Sequence, residues 1–272
     1  WYSEEKDNPI YRRRADELIN FNRVHQEGDA ASHALIADLK EARDQGRKVV
    51  ACLGKIPIDL GVPYDGGPAH EDMRDWLNHT IETVRGREDI LLLIKPHPHE
   101  LQPSIALDLV DGFFDLIRVP LPKNVRLLGH REINNHQLAP HLDLALLWNG
   151  SSALELSALG VPVMMNAYFG RHDYPVDLLY PRDREHYAAF IEGKSWPRPD
   201  EETRRKAACL IAYMETSDVN FFNDYAWRPV TNDSVGVPSF RADRIAQFML
   251  EGDPEMARAA DRILERFGGE AS

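Results

Sequence analysis

Five short apolar runs, interspersed with segments of helical pattern, constrain this chain more than any other feature. Val49–Leu53, Ile90–Lys95, Asn124–Leu128, Leu142–Trp148 and Val161–Asn166 are rich in Val, Ile, Leu and Met. In most of them apolar residues follow one another directly, without the polar alternation of a half-exposed strand. Strands of that kind are buried on both faces, and a parallel sheet covered by helices on each side is the architecture that buries them. Helical patterns at Glu71–Val84, Ile105–Ile117 and Ser152–Leu159 supply the crossovers. The expectation is therefore the α/β class, a doubly wound parallel sheet over residues 46–195. Residues 1–45 read as a charged helical linker segment that includes Ala30–Arg43. Residues 196–272 read as a C-terminal helical region. Its helices, with one just ahead of it, are expected at Asp183–Glu192, Glu201–Glu215, Ser239–Leu250 and Pro254–Phe267, with no strand after about residue 183.

Composition excludes several function classes. The chain of 272 residues has a formal net charge of -12, which argues against nucleic acid as a partner, because phosphates must be neutralised by Lys and Arg. The apolar runs are far shorter than the ~20 residues needed to cross a bilayer, so no transmembrane segment is expected. The two cysteines, Cys52 and Cys209, form neither a disulfide framework nor a metal motif, and a reducing cytoplasm is the default setting. No His/Cys/Asp cluster has metal-ligand spacing, so no metal is expected. Gly-x-Gly-x-x-Gly and Walker A patterns are absent. The chain opens on Trp1 rather than Met and reads as part of a longer protein.

In an open parallel sheet, ligands bind beyond the carboxyl ends of the strands. The residues that follow each run are therefore the candidates. Gly54 and Lys55 follow the first: glycine permits close backbone approach and lysine brings positive charge; the plain alternative is a surface loop. Lys95-Pro96-His97-Pro98 follows the second. Two prolines stiffen the loop, so that Lys95 and His97 present donors suited to a phosphate; the plain alternative is a solvated turn. Asn149-Gly150-Ser151-Ser152 follows the fourth and opens the helix that carries Glu155. Its amides and hydroxyls suit an anion, and Glu155, one turn further on, suits two ribose hydroxyls. The alternative there is simple capping by Ser151 with Glu155 exposed. Gly160 fits the left-handed residue that ends a helix. Arg171 and His172, in the loop after the fifth run, are candidates for substrate contact. His130 and His136 flank the loop after the third run, where a nucleotide base often lies, but read rather as ordinary surface histidines, and His70 and His79 have no second histidine or cysteine beside them at ligand spacing.

The order of Lys95-Pro96-His97-Pro98, Asn149-Gly150-Ser151-Ser152-x-x-Glu155 and Leu159-Gly160-Val161-Pro162-Val163 resembles the capsule polysaccharide biosynthesis proteins, which include transferases of the sugar acid Kdo. Bacterial sialyltransferases pair a His-Pro motif with a Ser-Ser or Ser-Thr motif in a similar way. The resemblance spans about residues 46–195. It implies a Rossmann-like nucleotide-sugar-binding domain, one half of a two-domain (GT-B) glycosyltransferase. His97, Ser151 and Ser152 would contact the phosphate of a CMP-sugar such as CMP-Kdo. The acceptor would be a polysaccharide or glycolipid, no metal or other cofactor would be needed, and the protein would work in the cytoplasm or peripherally at the inner membrane. In that family the acidic general base belongs to an N-terminal Rossmann domain, and none is read here. The catalytic residue is thus unassigned, with His97 the candidate on this chain. Two other readings stay open. A UDP-N-acetylglucosamine 2-epimerase has a Ser-Gly-Gly-x-x-Glu helix start of similar spacing to Ser151–Glu155, and a non-catalytic nucleotide-binding module would need none of this chemistry.

Overall fold

The computed structural model describes residues 2–20, 30–59, 62, 65–102, 110–168, 174, 176–193, 196–216, 226–227 and 239–267. Two compact units divide the chain: Trp1–Leu101 with Ile105–Ile211, and Gln102–Ser104 with Ala212–Ser272.

The first unit is built on a five-stranded sheet, β1 (Lys48–Leu53), β2 (Ile90–Lys95), β3 (Val125–Leu127), β4 (Leu144–Leu147) and β5 (Val163–Met165). All neighbouring pairs are parallel and the order is β3-β2-β1-β4-β5, the doubly wound arrangement. The period of two explains the apolar runs. On β1, Val50 and Cys52 join a core with Trp76, Leu77 and Ile81, while Val49, Ala51 and Leu53 join a second core with Leu35 and Leu39 on the opposite face. The first face is covered by α4 (Met73–Thr83) and α7 (Arg184–Glu192), the second by α3 (Ala30–Asp44), α5 (Asn135–Leu138) and α6 (Ser152–Ala158). Polar residues set where helices begin: Asp72 accepts from Asp75 N at 2.7 Å at the start of α4, and Asp183 from His186 N at 2.7 Å at the start of α7. Gly160, at φ +82°, ends α6 in the left-handed conformation expected of it.

The N-terminal helices are packed elements. Ala15 and Leu18 of α2 (Pro9–Asn20), which follows α1 (Tyr2–Glu5), form a third buried cluster with Leu154 and Ala158 of α6 and Ala207, Ala208 and Cys209 of α8 (Glu201–Thr216).

Three expectations need correcting. Strands do not stop at residue 183: in the second unit β6 (Ala226–Trp227) pairs antiparallel with β7 (Ser239–Phe240). The helix expected from Ser239 therefore starts later, as α9 (Ala242–Glu251), and is followed by α10 (Pro254–Phe267). Within the expected helix Ile105–Ile117, the described part holds only the 3-10 turn Phe114–Leu116, and residues 105–109 lie outside the described residues.

Candidate functional site

Strand register brings the site together. Leu53 pairs with Lys95 on one side and with Leu147 on the other, so β1, β2 and β4 finish level. The next residues, Gly54, Pro96–His97 and Trp148–Asn149, then share one edge of the sheet. Gly54 N donates to Lys95 O at 2.7 Å, extending the ladder one residue beyond the strand.

Two adjoining cavities open there, with Leu53, Gly54, His97 and Ser152 common to both linings. The larger, about 200 Å³, is walled by Lys95, Asn134, Asn135, His136 and Glu155 besides. The smaller, about 90 Å³, is walled by Lys55, Asp59, Asn149, Gly150 and Ser151. His97, Ser151 and Ser152, far apart in sequence, thus line one cavity.

The loop after β2 is held by a buried acid. Glu100 is 2% exposed; its Oε1 accepts from Phe113 N at 2.6 Å and its Oε2 pairs with His130 Nε2 at 2.8 Å. The 3-10 turn Pro98–Leu101 is anchored by these bonds. Within it, His99 N donates to Nδ1 of His97 at 3.1 Å. Nδ1 is then an acceptor, and in the neutral ring Nε2 carries the proton. Burial, then the nearby charges of His99, Lys95 and Lys55, lower the His97 pKa to about 4. At neutral pH the ring is a neutral Nε2–H donor. Lys95 is 5% exposed, and burial lowers its pKa while Glu155 opposes the shift. Among the described residues no carboxylate lies within ion-pairing distance of it.

The loop after β4 carries a buried, unpaired amide. Asn149 is 5% exposed, lines the smaller cavity, and neither its Oδ1 nor its Nδ2 has a hydrogen-bond partner among the described residues. A buried amide left unpaired costs about 1–3 kcal/mol, so a ligand that pairs with it gains on that scale. Gly150 has φ +116°, with open space where a Cβ would stand. Ser151 does not cap α6 with its side chain, which corrects the capping alternative, and the residue lines the smaller cavity.

At three other candidates the structure adds a role or a partner that the sequence did not suggest. A Cβ on Gly54 would lie 2.6 Å from the Phe113 ring, so packing alone requires glycine there. Lys55 is ion-paired with Asp59 at 3.0 Å on the cavity rim. Glu155 is not simply exposed: Asn135 Nδ2 donates to its Oε2 at 2.9 Å and His136 Nε2 meets its Oε1 at 2.8 Å. Burial alone would raise the Glu155 pKa, but His136, Asn135 and Lys95 together hold it below the usual carboxylate value. His130 and His136 are therefore not ordinary surface histidines, since each is bonded to a carboxylate of the site region. Asn134 heads α5 with a capping box to Gln137, an Asn-x-x-Gln signature by which the sequence could have revealed this element. Arg171 and His172 lie outside the described residues.

Away from the site, His70 Nε2 and His79 Nδ1 lie 2.9 Å apart beside Tyr187, a pairing unforeseen from their spacing. Among the described residues no group of three or more His, Cys, Asp or Glu could hold a metal ion, and no helix is long and apolar enough to cross a membrane.

No family model matches the sequence, and no curated protein matches it. Among solved structures the chain is similar to KpsC, a β Kdo 2,4 transferase from Thermosulfurimonas dismutans, at 17% identity and TM-score 0.38, over 88% of this chain and 70% of that one. It is similar to a protein from Listeria monocytogenes described as a UDP-N-acetylglucosamine 2-epimerase, at 16% identity and TM-score 0.37, over 68% of this chain and 43% of that one. The wall teichoic acid polymerase TagF aligns at 14% identity and TM-score 0.33, over 74% of this chain and 45% of that one. The chain thus spans less than half the length of the last two. The α/β, Rossmann-like assignment rests on strand order and register within this chain: five parallel strands in the order 3-2-1-4-5 with helices on both faces.

Proposed function

We propose that this chain is the donor-binding half of a glycosyltransferase that takes a sugar from a nucleotide-activated donor, a CMP-sugar such as CMP-Kdo, to build a capsule or other surface polysaccharide. The observation that carries the reading is the gathering of His97, Asn149, Ser151 and Ser152 around one small cavity at the carboxyl ends of β1, β2 and β4, with the Asn149 amide unpartnered. These are neutral hydrogen-bond donors, with Lys95 and Lys55 close by. They suit the phosphate that leaves when the bond from phosphate oxygen to the anomeric carbon breaks. Donors placed in advance on that oxygen stabilise its developing charge without a metal. The acceptor hydroxyl, on a polysaccharide or glycolipid, forms the new bond. Its proton goes to a base supplied by a companion N-terminal Rossmann domain. The choice of CMP rests on the resemblance of the His-Pro and Ser-Ser motifs.

A thermal-shift and calorimetric screen of CMP, UDP, CDP and GDP tests the reading, because a ligand bound only by the native state raises the midpoint. CMP or CDP is expected to bind, and the chain by itself is expected to show little transfer. Robust turnover of a CMP-sugar by the isolated chain, or no nucleotide binding, would overturn the proposal. The serine–glutamate spacing at the start of α6 also supports the 2-epimerase reading, which a clear preference for UDP would favour. Nucleotide binding with no transfer even beside a companion domain would mark a non-catalytic module.

A further inference from the structure

We infer, on the nucleotide reading above, that Asn135 and His136 are positioning residues that hold the Glu155 carboxylate ready for the 2′,3′-diol of a ribose, so that the two adjoining cavities form one site selective for ribonucleotides. A carboxylate offers about four lone-pair positions, two on each oxygen. Asn135 occupies one on Oε2 at 2.9 Å and His136 one on Oε1 at 2.8 Å. One acceptor position then remains on each oxygen, and the two hydroxyls of a vicinal diol are a matching pair of donors. The same two bonds stop the carboxylate from rotating, so less freedom is lost when the diol arrives.

The charges divide the ligand between the cavities. In the larger one Glu155 is ionised, held below the usual carboxylate range by His136, Asn135 and Lys95 against the effect of burial. A phosphate beside it would face a like charge. In the smaller cavity the one carboxylate, Asp59, is offset by Lys55 at 3.0 Å, and the remaining polar walls include the unpartnered amide of Asn149. Phosphate belongs in the smaller cavity and ribose in the larger. His97 and Ser152 stand on the wall common to both.

Calorimetric titration of the full chain with CMP, 2′-deoxyCMP and inorganic phosphate tests the inference. The wild type should prefer CMP over 2′-deoxyCMP by about tenfold, the worth of one hydrogen bond to a charged acceptor. In Asn135→Ala and His136→Ala the preference should shrink below about threefold while phosphate affinity holds, and His136→Gln, which keeps a donor near the Nε2 position, should restore it. Glu155→Gln, equal in size, gives a variant that tests the same point if either alanine change harms folding, and it too should lose the preference. Equal affinity for CMP and 2′-deoxyCMP in the wild type, or a preference that survives these changes, overturns the inference while leaving the nucleotide reading intact. Failure of CMP, UDP, CDP and GDP alike to bind overturns the nucleotide reading itself, and this inference with it.

Discussion

Replacing His97 probes the proposed phosphate site most directly, because the His99 amide sets its tautomer and burial disfavours its charged form. The His99 amide donates to Nδ1 at 3.1 Å, and the ring pKa is lowered to about 4, by burial first and then by the charges of His99, Lys95 and Lys55. The ring therefore offers a neutral Nε2–H at pH 7. A hydrogen bond from such a donor to a charged phosphate contributes about 1.5–3 kcal/mol, and tenfold in affinity corresponds to about 1.4 kcal/mol. His97→Ala should weaken CMP binding by roughly tenfold to a hundredfold. The His99 amide it strands is exposed and can turn to water, so fold stability should change by less than about 1 kcal/mol. His97→Gln, which can place an amide N–H near the lost Nε2–H, should lose less. Titration calorimetry with CMP at several pH values decides. The ratio of wild-type to variant affinity should stay level between about pH 6.5 and 8, since an unperturbed histidine titrates near 6.5 and this one does not. Unchanged affinity in both variants refutes the phosphate assignment. A ratio that climbs as pH falls through about 6.5 refutes the neutral-donor argument, because it would show an imidazolium at work.

Asn149→Ala should leave the unliganded chain as stable as before, or stabilise it by up to about 1 kcal/mol, while nucleotide affinity drops about tenfold, because the amide has no partner to lose within the protein; a melt and a titration on the same sample check both halves. Gly54→Ala should destabilise by about 1–3 kcal/mol by driving a methyl into the Phe113 ring, and pairing it with Phe113→Leu should recover part of the loss in denaturant unfolding; no recovery would mean that the strain lies elsewhere. Stability should also fall in acid. Burial, then the charge of His79, lower the His70 pKa to about 3, and burial, then the charge of Arg184, lower that of His79. Below about pH 6.5 the unfolded chain binds more protons than the folded one, so stability present above that pH is lost as it drops toward the folded values. Melting midpoints measured down that range should fall less steeply in His70→Gln, and parallel curves would contradict the assignment.

The strands were legible because two-sided burial leaves a mark on consecutive residues, and the doubly wound sheet needs no more than that. Their ends were less so: β3, β4 and β5 close one or two residues inside the expected runs. Asn124, expected in β3, lies just ahead of it, its Nδ2 donating to Val84 O at 2.8 Å and Arg87 O at 2.9 Å, and Asp143 sits ahead of β4 with its carboxylate accepting from Val49 N at 2.9 Å. The pair β6–β7 has two residues in each strand, too few for any period to register.

The same distinction runs through the site. Lys95, His97 and Asn149–Ser152 could be named from sequence because topology alone sends residues that follow parallel strands to one edge of the sheet. Gly54 was named for a different reason from the one the structure supplies, because its close neighbour Phe113 lies far along the chain and no local pattern joins them. Asn135 and His136 were passed over for a related cause. They act through Glu155, 20 residues away from Asn135, from a four-residue helix too short to carry an amphipathic signal. A group that meets the ligand directly is placed by secondary structure, which a sequence can reveal. A group that aims another side chain is placed by tertiary packing. On the proposed nucleotide reading, the unpaired amide of Asn149 and the doubly held carboxylate of Glu155, rather than any motif, therefore divide the site into a phosphate half and a sugar half.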